Sequence, residues 1–92
     1  GIRMREIQKE PLISCQLSFY PLAQTDPLPE IGRALSVIRE SGLEHSTGRM
    51  STVVRGSSGG VFALLRNIAE TMDAQGCKFS MTVTLSNFCG FE

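Results

Sequence analysis

Two stretches of the chain alternate with a period of two, the signature of a strand with one face on a core. In LISCQLSFYPL (12–22), Ile13, Cys15, Leu17 and Phe19 fall on one side, and Ser14, Gln16, Ser18 and Tyr20 on the other, with Pro21 as the stop. In KFSMTVTLSN (78–87), Phe79, Met81, Val83 and Leu85 alternate with Ser80, Thr82, Thr84 and Ser86. A solvent-facing strand normally mixes in Lys, Glu or Arg, and this one has no charge after Lys78. Its polar side is a row of small hydroxyls.

Two helical patterns lie between them. Asp26 as N-cap, Pro27 at the first helical position and Glu30 in the first turn predict a helix start. Leu28, Ile31, Leu35 and Ile38 then form one apolar stripe, and Gly42 suits the left-handed residue after it. SSGG (57–60) reads as a turn into VFALLRNIAETMDAQG, where Val61, Leu64, Leu65, Ile68 and Met72 share a face and Gly76 closes the helix. Between the helices, LEHST (43–47) predicts a short polar edge strand. GRMSTVVRG (48–56) predicts a second strand, with Met50 and Val54 toward the core, Arg49, Ser51 and Arg55 opposite, and Val53 against that assignment.

The order strand, helix, strand, strand, helix, strand is the ferredoxin-like βαββαβ pattern of the α+β class. It predicts a four-stranded antiparallel sheet with both helices on one face. The first and third strands are central and the fourth lies beside the first. The hydroxyl row then joins Ser14, Gln16, Ser18 and Tyr20 on the face the helices leave uncovered. Two readings of that face stay open. It is a wet sheet surface, since Thr favours strands, or it is covered by a second sheet or a small polar ligand. An unpaired buried hydroxyl costs about 1–3 kcal/mol, so a covered face needs its bonds satisfied.

Composition narrows the partners. Ninety-two residues make one domain, expected over 12–92 after a poorly ordered polar segment, 1–11, in which Gly1 to Arg3 precede a candidate native start at Met4. A chain this short buries only about 60–65% of its unfolded surface and gains from a partner. Nine basic and nine acidic residues cancel, which argues against nucleic acid and anionic membrane and favours self-association. Cys15, Cys77 and Cys89 lack any Cys-x-x-Cys spacing, and with the single His45 they make no convincing zinc site. Reduced thiols in a cytoplasmic protein follow. No apolar run approaches the roughly 20 residues needed to span a bilayer.

Candidate chemistry is sparse. GSSGG before a helix resembles an anion cradle but lacks the Lys-Ser/Thr of a nucleotide-binding loop, so a plain turn is the default. His45 has no nucleophile beside it, and the carboxylates sit mostly on predicted helix faces or ends. No active site is visible, and a binding module is the reading.

Three segments, SCQLSFYPL, GRMSTVVRG with VF shortly after, and MTVTLSNFCG, occur in an order and spacing that resemble the YkoF-like thiamin/hydroxymethylpyrimidine-binding family. The likeness runs from about Ile13 to Gly90. It implies a non-enzymatic cytoplasmic binder of thiamin or its pyrimidine precursor, in salvage or transport, with no cofactor beyond that ligand. It also implies a homodimer or tetramer assembled through sheet faces, since such proteins carry two repeats or pair single ones. The matching positions imply a ligand site of Ser18, Tyr20, Arg49, Ser51, Thr52, Thr82, Thr84 and Ser86, with Tyr20 or Phe88 as a ring wall. Arg49 replaces a histidine of the family pattern, Gly59 an acidic cap, and Gln16 a basic residue in at least one repeat. The rival is an amino-acid-binding module of the ACT type, which shares the topology and places ligands at loop–helix junctions such as GSSGG.

Overall fold

The computed structural model describes residues 11–88. Expectations for residues 1–10 and for the tail from Cys89 lie outside them. Within them the order is β1 (Leu12–Leu22), α1 (Leu28–Glu40), β2 (Glu44–Thr47), β3 (Thr52–Ser57), α2 (Ser58–Ala74) and β4 (Lys78–Ser86). The four strands form one antiparallel sheet in the order β2-β3-β1-β4, so β1 and β3 are central, as the pattern predicts.

Register settles the faces. Cys15 lies opposite Val54 and Leu85, and Leu17 opposite Thr52 and Val83. These residues share the helix side. There Ile38, Leu64, Ile68 and Met72 seal a core that also includes Ile13, Cys15 and Val54. Each such side chain stabilises the fold by about 1.5–3 kcal/mol relative to exposure. Leu28, placed on the apolar stripe of α1, is instead 70% exposed at the first residue of the helix. Ala34 takes the buried position. Asp26 still accepts a hydrogen bond from the Leu28 amide at 3.2 Å, although Pro27 occupies the cap.

Three strand boundaries differ from expectation. β1 runs through Pro21 to Leu22, paired with Phe79 and Lys78 of β4. Beyond Leu17 it has a ladder neighbour on that side alone, where a residue without an N–H is tolerated. β3 begins only at Thr52, so Met50 sits in the hairpin loop and is exposed rather than in the core. Val53 faces away from the helices opposite Gln16, which resolves the conflicting pattern around it.

SSGG is not a turn. β3 passes directly into α2, whose N-cap is Ser57, and its hydroxyl accepts from the Gly60 amide at 3.1 Å. Leu43 packs closely over Gly56: a β-carbon there would meet Leu43 Cδ2 at 2.9 Å, so a larger residue would displace that side chain. Ser14 opposite Ser86 sets the start of β1 beside the end of β4.

Candidate functional site

β1 has eleven residues and β3 six, and their ladder stops at Leu17 and Thr52. Past that point the edge of β1 meets no strand, and a cavity of about 180 Å³ opens between β1, α1 and the β2–β3 hairpin. Leu17 and Phe19 of β1 and Ile31, Leu35 and Ile38 of α1 form its apolar walls. The Phe19 ring is held by Phe79, with centroids 5.1 Å apart and planes 26° from parallel. The hairpin supplies the polar rim.

That hairpin is pinned at several points. Its last pair, Thr47 and Thr52, is joined hydroxyl to hydroxyl at 3.3 Å, and the Gly48 amide donates to the Ser51 carbonyl at 2.9 Å. The Ser18 hydroxyl donates to the Met50 carbonyl at 2.9 Å, and the Gln16 amide donates to Ser51 Oγ at 3.2 Å. The loop is thereby drawn against the free edge of β1. Ser18, Arg49, Ser51 and Thr52 all line the cavity. Thr52, however, does not belong to the hydroxyl face: it is 4% exposed and points to the helix side with Leu17.

The remaining candidates stand elsewhere. Tyr20, Thr82 and Thr84 lie on the open sheet face, exposed in the single chain. Ser86 shares that face, but its hydroxyl donates to the Phe88 carbonyl and accepts from the Phe88 amide, at 3.2 and 3.0 Å. Ser14 is buried on this face although it faces away from the helices. The eight residues therefore divide into a cavity group and an open-face group. Neither Tyr20 nor Phe88 lines the cavity; the ring wall is Phe19, which the alternation of β1 places on the core side. In the sequence, Ile31 and Leu35 likewise show only as helix stripe.

A second cavity of about 190 Å³ lies beside β2 and β3, lined by Glu44, His45, Ser46, Val53 and Arg55. It contains none of the nominated residues, and Arg55 and Glu44 approach across it at 3.7 Å. Among the described residues no group of three or more His, Cys, Asp or Glu is placed to hold a metal, and no helix is long and apolar enough to cross a membrane.

The family model of the YKOF-related family matches residues 12–90. The chain belongs to the YKOF-related family. Its similarity to solved structures is one of fold. A Thermotoga maritima protein assigned provisionally to thiamine biosynthesis or salvage superposes with a TM-score of 0.76 at 20% identity, over 87% of each chain. A Bacillus cereus domain of unknown function gives 0.74 at 18%, over 83% of this chain and 75% of that one. A hypothetical protein from Methanocaldococcus jannascii gives 0.76 at 16%, over 89% and 86%. No curated protein matches the sequence. For this YKOF-related chain the βαββαβ architecture is thus shared with proteins of three distant sources.

Proposed function

We propose that this chain is a non-catalytic cytoplasmic binding protein for thiamin or its hydroxymethylpyrimidine precursor, acting in salvage or transport. The observation that carries the reading is the cavity: apolar walls with a ring at one side, and a rim where the hydroxyls of Ser18, Ser51 and Thr52 converge beside Arg49. An aminopyrimidine offers ring-nitrogen acceptors and an amine donor, and hydroxyls with unpaired strand-edge backbone satisfy both. Family membership and the stated role of the Thermotoga maritima protein support the ligand class. The ACT-type rival rests on the GSSGG segment, which forms the strand end and the capped first turn of α2, and it has no support from the family match. A homodimer or tetramer through sheet faces belongs to the same proposal, supported by the exposed face of β4, uncharged after Lys78, and the zero net charge.

Isothermal titration with hydroxymethylpyrimidine and with thiamin tests the reading. Binding is expected for at least one. Ser51→Ala, in the cavity, should weaken it about 2- to 10-fold, the worth of one net hydrogen bond, while Thr84→Ala, on the open face, should not. Absence of heat and of thermal shift with both ligands at millimolar concentration removes the proposal.

A further inference from the structure

The chemistry of the cavity discriminates among pyrimidine ligands. Among the described residues that line it, Arg49 alone is charged. It is exposed and takes part in no ion pair or hydrogen bond with the described residues. The hairpin that carries it is nevertheless fixed after the arginine, by Ser18 on the Met50 carbonyl and Gln16 on Ser51, and before it by the Gly48 amide on the Ser51 carbonyl. The acid of the nearby first turn of α1, Glu30, is engaged by Arg33 at 2.8 Å and does not line the cavity. A guanidinium on a pinned loop, at the mouth of a carboxylate-free cavity, is suited to an anion and opposes a fixed cation.

Size points the same way. A volume of about 180 Å³ falls below the roughly 300 Å³ at which pockets begin to enclose drug-sized ligands. It accommodates one ring and its substituents, with a second ring left outside. Thiamin carries two rings, and the second is a permanent cation that would stand against Arg49.

Building on the binding function proposed above, we infer that this cavity selects a single aminopyrimidine ring bearing an anionic ester, namely the phosphate of hydroxymethylpyrimidine, ahead of thiamin. The ring lies between Phe19 and the aliphatic side chains of α1, its edge meets the hydroxyl rim, and the ester reaches Arg49.

The test is titration of the full chain with five probes: hydroxymethylpyrimidine, its monophosphate, thiamin, thiamin monophosphate and inorganic phosphate. The pyrimidine phosphate should bind about tenfold more tightly than the free alcohol, with a preference that shrinks as salt is raised. Inorganic phosphate should bind far more weakly than the ester, since it fills no apolar wall. Arg49→Gln should bring the ratio of the two pyrimidine affinities to near unity, and Arg49→Lys should retain part of it. Equal binding of alcohol and ester, a first rank for thiamin, or a ratio unmoved by Arg49→Gln would overturn the inference while leaving the binding function standing. No binding by any organic probe would remove that function as well.

Discussion

Cys15 has no exposed surface and sits mid-strand between Val54 and Leu85. Burial raises its thiol above the ordinary value of 9.0, because the thiolate would lose its hydration. The folded state therefore holds this proton more firmly than the unfolded chain. That contribution to stability is present in full below the unfolded value and is lost as pH rises through the raised one. Two outcomes follow: Cys15 should resist alkylation at mildly alkaline pH in buffer and react in urea, and urea midpoints should fall above about pH 9. Equal labelling with and without urea would contradict the burial. Thr52 shows what sequence could not say at this scale. Consecutive side chains of a strand point to opposite faces, so the adjacent Ser51 and Thr52 could not both belong to one strand face. They meet at the cavity because the strand starts between them and Ser51 belongs to the loop.

At the scale of elements, the apolar periodicities of α1 and α2 and the alternation of β1 and β4 were legible, because each buries one face against a single layer. The β3–α2 junction was not. Ser and Gly are signals for a turn and for a helix cap alike, and the close approach of Leu43 to Gly56, the bond from the Ser58 amide to the Pro11 carbonyl and the Ser57 hydroxyl on the Gly60 amide select the cap. Ser57→Ala should cost about 1 kcal/mol, measured as a lower urea midpoint with an unchanged slope, and Ser57→Asp should restore most of it. A neutral alanine variant would mean the junction is held by the strand ladder alone.

For the whole molecule, the two sheet edges differ. β2 has four residues, all exposed, and carries Glu44 and His45. β4 has nine, with Val83 and Leu85 partly exposed on its helix side and hydroxyls on its other face. Charge on a strand blocks pairing and stacking, and β4 lacks it after Lys78. Light scattering at micromolar concentration should give a mass above the 10.0 kDa monomer. Thr84→Lys on the open face should lower it, while an effect confined to Val83→Lys would assign assembly to the edge instead of the face. Topology was readable from the order of patterns alone. The cavity was not, since it exists only because β1 outruns β3, and strand length is decided by where the hairpin turns.

The neighbouring positions of Ser14 and Ser86 have a last consequence. Because the first and final strands adjoin at those ends, a few added residues would span them, and the backbone could be opened instead at an exposed connection such as Gly48 in the hairpin. A circularly permuted version would keep every rung of the sheet.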